Sequence, residues 1–485
     1  PRPLREGRQV ARRSDGGAIA YDIDTAVKQA DGSYLWNIVA IASATQQQIL
    51  DAIRSGRVYL NIHTSKYPGG EIRGHFRTIS GAVDFTPPND PPALPNTPPT
   101  LSEASRFLTQ ATWGPTLTEM NRVTQIGYNA WLDEQFNKPA KDYLASVEAH
   151  IAAIPNDSGN SNPLQETFWP HFIQGEDQLR SRVAIALSEI VVISLANGDL
   201  SGDPLMTSTY VNVLNEGAFG TFRSLLKRVT LNPAMGIYLN MIRNQKENTV
   251  TGRVPNENFA REILQLFSLG LWNLNPDATL KLGLDLQPQA SYQQDDIIQF
   301  ARIFTGWSWG GEAKTNSNFT RNRPLNTNNR LIPMEAYPDF HSTGPKDLLD
   351  GFTVAAGQTA EQDLEQALDN IVNHPNVGPF ISKQLIQRLV SSNPSPGYVY
   401  RVARVFADNG AGLRGDLKAV VRAILMDYEA RSNTMLSNQG YGKQKEPIVR
   451  LAQLLRAFNA TNPSNRFQIF NLHSTGNLSL SLIHI

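Results

Sequence analysis

The chain has 485 residues, 40% hydrophobic and 18% charged, a globular composition long enough for two or more domains at roughly 100–200 residues each. Lys plus Arg equals Asp plus Glu at 44 each, so the formal net charge is zero and the basic footprint of a nucleic-acid binder is missing. No cysteine is present, which excludes disulfides, thiolate zinc sites, iron–sulfur clusters and cysteine nucleophiles.

The chain opens at Pro1 rather than Met, and we read it as a fragment; residues 1–17 show no usable pattern and stay unassigned. Alternating apolar positions predict strands at Tyr34–Ile41, after an Asp31-Gly32 turn, and at Val58–His63. Pro68-Gly69-Gly70 turns the latter into Glu71–Phe76, and Ala44–Ser55 reads as a short helix. His63, Glu71 and His75 fall on neighbouring strands, where ordinary exposed sheet positions are a commoner explanation than weak metal binding. The phrase GRVYLNIHTSKYPGGEIRGHF (56–76) resembles the C-terminal part of the CHRD domain, first described in chordin and widespread in exported bacterial proteins. The resemblance covers 18–79 and implies a small, incomplete β-sandwich-type module at 18–80.

Seven prolines between Pro87 and Pro99 mark 81–100 as a stiff, extended linker that cannot pair in a sheet. Beyond it the apolar period changes from two to 3.6. A capping-box-like start at Ser102–Leu108 is followed by helical patterns at 117–137, 141–153, 164–197, 206–228, 234–244, 256–272, 292–306, 361–373, 377–391, 396–408, 416–428 and 444–459. The longest apolar run, Val183–Ala196, is too short to span a membrane and carries Ser188 and Glu189, so it reads as a buried helix and no transmembrane segment is expected. Residues 307–360 are irregular, and a loop of that length is usually functional or mobile. The fold class is therefore mainly α: a large multi-helix domain at 101–457 preceded by the small β module. Residues 458–485 read as a truncated end whose last residues, Ser479–Ile485, look like sequencing read-through.

Eight phrases carry a second resemblance: RFLTQATWGPT (106–116), DQLRSRVAIALSEI (177–190), AFGTFRSLLKRVTLNPAMGIYLN (218–240), PNENFAREILQLFSLGL (255–271), DDIIQFARIFTGWSW (295–309), HSTGPKDLL (341–349), the long stretch 374–425 and GKQKEPIVRLAQLLRAF (442–458). In order and spacing they are similar to the bacterial domain-of-unknown-function family 1800. The resemblance implies an exported protein, often encoded beside a sulfatase-like partner, and implies no known reaction. Two positions depart from the family pattern: Asn232 where His is frequent, and Asn256 where Asp is frequent. If those positions carry chemistry, this chain lacks it.

The densest polar cluster is Asn256-Glu257-Asn258-Phe259-Ala260-Arg261-Glu262. Glu257 and Arg261 share a helix face, with Glu262 one position round. Two uses stay open: a carboxylate pair holding a metal or a substrate amine, or a Glu–Arg network fixing the helix, the commoner use of such clusters. Asp177, Arg180, Arg182 and Glu189 decorate the apolar stretch 177–196, where charges need partners; we expect Arg180 or Arg182 to pair with Glu257 or Glu262, with His171 nearby. His341 and Lys346 lie in the irregular region, and His374 is expected to cap the helix that Pro375 starts. No H-x-x-x-H or H-x-H spacing supports a metal. Gly306-Trp307-Ser308-Trp309-Gly310 has the spacing of a hydrolase nucleophile elbow, but a helix precedes it and a loop follows, the wrong context. Trp307 and Trp309 instead line a sugar- or partner-binding surface, or pack the loop onto the core. Asp408–Asp416 lacks calcium-loop spacing; Gly410 ends one helix and Asp416 caps the next. No P-loop or dinucleotide motif occurs, and no cofactor is implied.

Two functions follow as expectations. The first is an exported periplasmic, cell-surface or extracellular interaction component, engaging a sulfatase-like protein or a polysaccharide through Arg180, Arg182, Arg261, Trp307, Trp309 and Lys346. The second is a hydrolase of an envelope or extracellular polymer with Glu257, Glu262, Asp177 and His341 as acid–base groups. Convergence of those four on an open pocket is what separates the second from the first.

Overall fold

The structure, a computed structural model, describes residues 45–49, 85–157, 159–283, 287–463 and 466–469, together with the backbone of six N-terminal strands. The chain divides into two compact units, with the boundary between Asp84 and Phe85.

In the N-terminal unit, β1 (Gly7–Arg12), β2 (Ala18–Asp22), β5 (Val58–Ile62) and β6 (Ile72–His75) form an antiparallel sheet in the order β2-β1-β5-β6. The expected pairing of the last two is present, with Tyr59 opposite His75 and Ile62 opposite Ile72. β1 falls in the segment left unassigned. It is a central strand, pairing Val10 with Ala20 on one side and with Tyr59 on the other. Its sequence, Gly-Arg-Gln-Val-Ala-Arg, lacks the alternation that marks a half-buried strand. β3 (Val27–Lys28) pairs with β4 (Tyr34–Leu35). The rest of the 34–41 strand, the Pro68–Gly70 turn, His63 and Glu71, the side chain of His75, and the Ser479–Ile485 end lie outside the described residues. Of the helix expected at 44–55, residues 46–49 are described and helical.

The second unit is mainly α. In chain order it contains α1 (Leu101–Ala111), α2 (Leu117–Phe136), α3 (Tyr143–Ala153), α4 (Asn162–Gln174), α5 (Gln178–Ser188), α6 (Gly198–Ser201), α7 (Pro204–Gly217), α8 (Phe222–Leu231) and α9 (Pro233–Tyr238). There follow α10 (Asn258–Gln265), α11 (Gln294–Ile303), α12 (Asn316–Phe319), α13 (Ala360–Asn373), α14 (Val377–Leu389), α15 (Pro396–Ala407), α16 (Leu417–Met426), α17 (Tyr428–Arg431) and α18 (Pro447–Ala457). Side-chain oxygens of Thr100, Thr116, Asp142, Asp203, Thr221, Thr359, Ser395 and Asp416 accept first-turn N–H groups and fix where these helices begin. Among the described residues no helix is long and apolar enough to cross a membrane.

The long pattern at 164–197 is broken in two. The first helix ends at Gly175, whose backbone is extended (ψ 145°) and lies so close to the His171 ring that a Cβ would sit 2.2 Å from it, so only glycine fits. The second ends at Ser188, so the apolar run to Ala196 is largely buried but not helical throughout. α5 is nearly surrounded, packing on α1, α2, α7 and α14, and its Leu179, Val183 and Leu187 join one large apolar cluster with Phe107, Trp131, Leu226, Phe300 and Ile381. Each fully buried side chain of this size contributes roughly 1.5–3 kcal/mol. Trp113 anchors a second cluster, stacked on Phe172 at 3.6 Å and donating to Ser181 Oγ at 2.8 Å.

Two departures from the sequence reading bear on function. Residues 307–360 are irregular but ordered into short pieces: β7 (Trp307–Ser308) pairs with β8 (Glu335–Ala336), and β9 (Lys346–Asp347) with β10 (Thr353–Val354). The Pro-rich run expected as a linker belongs, from Phe85 on, to the helical unit. Phe85, Pro88, Pro91 and Leu94 are half-buried while the residues between them are exposed. That period of three is the turn of a polyproline II helix, laid with one edge against the helices. Phe85 meets the Tyr400 ring at 5.4 Å, and Pro99 is buried.

Gly306 is a tight point where the chain leaving α11 passes the His341 backbone. Its φ is +84°, and a Cβ would meet the His341 backbone nitrogen at 2.9 Å. Its N–H donates to Asn244 O and its carbonyl accepts from Tyr337 N–H. Gly306→Ala is expected to destabilise the protein by about 2–4 kcal/mol, the combined cost of a left-handed alanine and overpacking, read as a lower urea midpoint.

Candidate functional site

His341 is buried where the irregular segment meets α11 and α13. Its Nδ1 lies 2.9 Å from the Thr305 carbonyl and its Nε2 lies 2.9 Å from Asp363 Oδ2. Lys346, also buried, reaches the same Asp363 oxygen at 2.6 Å and donates to Gly344 O at 3.0 Å. Burial lowers the Lys346 pKa, and the Asp363 hydrogen bond and charge offset this only in part. Around the trio, Ser342 Oγ donates to Glu247 at 2.9 Å, and Arg302 donates to Ser342 and to Pro345 O. Asp363 escaped the sequence reading because it looks like one of several first-turn acids of α13.

Asp177 is buried in a second, separate arrangement. It accepts from His171 Nε2, and His171 Nδ1 faces the Tyr143 hydroxyl at 2.5 Å. Burial acts to raise the Asp177 carboxyl, but the hydrogen bond and charge of His171 outweigh it and hold it below the usual range. The chain Tyr143–His171–Asp177 ties α3 and α4 to the start of α5.

Glu257 stands at the N-terminus of α10, half-exposed, paired with Arg261 at 3.0 Å and accepting from Gln294 Nε2 at 2.8 Å. Glu262 has no acid–base partner: its Oε2 is buried without a hydrogen bond, and burial raises its pKa against a smaller opposing effect of Arg261. The expected pairing of Arg180 or Arg182 with Glu257 or Glu262 does not form, because α5 packs away from α10. Arg180 lies over the Phe219 ring at 4.4 Å and donates to Lys138 O at 3.2 Å. Arg182, fully buried, donates to Arg388 O at 2.6 Å, and the carboxylates that act on it are Glu446 and Glu189. Glu189 lies 3.3 Å from Arg388, and burial pushes its carboxyl up to about 6. No hydrogen bond or ion pair joins any two of Glu257, Glu262, Asp177 and His341.

Trp307 and Trp309 are both 2% exposed and pack the irregular segment onto the core. Ser308 is buried and donates to Phe319 O at 3.0 Å, so the elbow-like spacing presents no accessible hydroxyl. Asn232 and Asn256 are backbone-holding residues. Asn232 Oδ1 caps α9 at Ala234 N–H, 2.9 Å, and its amide donates to Thr209 Oγ1 at 3.1 Å. Asn256 Oδ1 accepts from Asn258 N–H at 2.9 Å, where an aspartate would serve equally. His374 closes α13, and its Nδ1 accepts from Asn376 N–H at 3.2 Å ahead of α14. Among the described residues no group of three or more His, Asp or Glu is placed to hold a metal.

The open space lies elsewhere. A cavity of about 770 Å³ is walled by α6 and the start of α7 on one side and by residues 322–330 on the other, with Ile237, Arg243 and Trp309 between. A neighbouring cavity of about 430 Å³ also includes Arg243, together with Asn240, Asn244, Arg253 and Asn256. Arg243 and Asn240 hold left-handed backbone conformations, φ +63° and +57°, unusual for residues with a Cβ. The Arg243 N–H donates to Trp307 O at 2.7 Å, and its guanidinium donates to Asn322. Asn244 secures the turn by bonding Asn256 N–H at 2.7 Å and Asn256 O at 3.2 Å. Arg330 is paired with Asp203 at 2.6 Å. None of these residues was singled out by sequence apart from Asn256 and Trp309; the positive φ that positions Arg243 leaves no signature in an arginine.

Two consequences are measurable. Asp363→Asn leaves Lys346 and His341 buried without their carboxylate and is expected to cost about 3–5 kcal/mol in chemical denaturation at neutral pH. For Glu262 the folded pKa is raised, so the folded state gains most below the unfolded pKa and loses that advantage as pH rises through the folded value. Glu262→Gln is therefore expected to raise the thermal midpoint at pH 7, with the difference shrinking toward pH 4. A variant less stable than the parent at pH 7 contradicts the assignment.

Comparison with known proteins adds two matches. The CHRD domain matches residues 10–76, which includes the second half of β1. The family described as "Protein of unknown function (DUF1800)" matches residues 106–479, past the boundary at Ala457 read from sequence. No curated protein and no solved structure matches. With that second match spanning well over half of its length, the chain belongs to the DUF1800 family.

Proposed function

We propose that this chain is an exported binding component whose helical unit holds part of an extracellular or envelope polymer in the double cavity around Arg243. The observation that carries this reading is the contrast between that cavity and the expected acid–base residues. The cavity is roomy, lined by polar and apolar surface alike, and built on strained backbone. Asp177 and His341 are sealed among their own partners, while Glu257 is occupied by Arg261 and Gln294. General acid–base work needs both groups within reach of one substrate atom. The CHRD domain, found mostly in extracellular proteins, supports export.

The test is to incubate the purified chain with insoluble envelope and extracellular polysaccharides and to follow both co-sedimentation and released reducing ends. Binding without turnover is expected. Turnover that disappears in folded Asp177→Asn or Glu257→Gln protein would overturn the reading in favour of a hydrolase.

A further inference from the structure

The binding reading leaves the ligand's chemistry open, and the cavity walls narrow it. Resting on that reading, we propose that the groove around Arg243 binds an acidic oligosaccharide, a sugar chain bearing carboxylate or sulfate groups.

Charge is the first observation. Arg243, Arg253, Arg323 and Arg330 line the two cavities against Asp199 and Asp203, in a chain whose formal charge is zero. Asp203 is already neutralised by Arg330 and occupied in capping α7 at Met206 N–H, 3.0 Å. Arg323 is exposed and has no hydrogen bond or ion pair among the described residues. A guanidinium that no protein group uses is a ready bidentate donor for a carboxylate or sulfate.

Shape is the second. The two cavities lie side by side with Arg243 between them, an arrangement that suits an elongated, repeating ligand reaching into both better than a compact one. The left-handed backbone at Asn240 and Arg243 is fixed by the Trp307 carbonyl and by Asn244, which places the Arg243 guanidinium at the junction before any ligand arrives. Preorganisation of this kind lowers the cost of binding.

The remaining lining separates a glycan from a nucleic acid. Asn240, Gln245, Asn256, Asn322, Thr320 and Thr327 offer amides and hydroxyls that both donate and accept, the match for vicinal sugar hydroxyls. Single-stranded nucleic acids take exposed aromatic faces for stacking, and the one aromatic side chain in this lining, Trp309, is 2% exposed. Ile237 and Leu205, both half-buried, give the limited apolar surface that a pyranose face covers.

Isothermal titration of the full chain with four probes tests this: tetragalacturonate, a heparin-derived tetrasaccharide, cellotetraose and a short single-stranded DNA. Saturable binding of tetragalacturonate or the heparin fragment is expected; which of the two binds identifies carboxylate or sulfate. Affinity should fall with added salt and by about tenfold in Arg323→Gln, which removes one charge-assisted contact from an exposed, partner-free position. Arg243→Gln should weaken binding further, with thermal unfolding confirming a folded protein. Equal binding of cellotetraose with no effect of Arg323→Gln overturns the acidic class while leaving the binding role intact. Tighter binding of the DNA than of either acidic glycan, or no binding of any probe, overturns the proposal. Failure of the polymer sedimentation described above, by contrast, removes the binding role itself.

Discussion

One buried carboxylate organises the irregular segment of the helical unit. Asp363 sits on α13 and holds both Lys346 and His341 in a place closed to solvent. A lone charge there would cost several kcal/mol, so the segment that delivers the lysine and the histidine has little freedom to settle elsewhere. Once 341–346 is fixed, the chain leaving α11 must pass His341 at Gly306, where only a residue without a side chain fits. That passage sets β7, β7 sets the carbonyl of Trp307, and that carbonyl receives the strained Arg243 N–H. The groove is thus the outer end of a series of constraints that begins at an interior ion pair.

The molecule uses its charges in two distinct ways. Interior ones, such as Arg182 near Glu189 and Glu446, or Asp177 with His171, hold helices in register and have no access to a ligand. Those lining the groove are arginines on turns, only partly committed to protein partners. A formal balance of zero conceals this division, because composition adds buried and exposed charges without regard to what each can touch.

The helices were legible because their apolar period and capping residues are local: Thr359 with Gln362, or Asp416 ahead of Leu417, announce themselves within four positions. The single helix read at 164–197 failed at Gly175 and again after Ser188, since the close approach of Gly175 to the His171 ring is a matter of three-dimensional space. β1 was missed because Gly-Arg-Gln-Val-Ala-Arg carries no alternation of its own, and one of the two strands it pairs with, β5, lies some fifty residues away. For the site, polar density at Glu257 proved a poor guide, as side chains four apart on a helix satisfy one another. His341 and Lys346 were placed in the same irregular region by sequence, yet their shared partner Asp363 lies beyond any local spacing. Arg243 was invisible for a different reason: its importance comes from a backbone angle.

The edge formed by Phe85, Pro88, Pro91 and Leu94 has a further implication. A polyproline II segment carries no internal hydrogen bonds, so nothing but its three-residue turn keeps those side chains on one line. Lengthening or shortening the run by three residues would return the same face to the helices. A change of one or two would rotate the apolar edge into solvent and bring Asn89, Asp90 or Asn96 against the protein instead. The segment therefore behaves like a toothed rack with a pitch of three, and its tolerated lengths are quantised although its sequence looks like a featureless spacer.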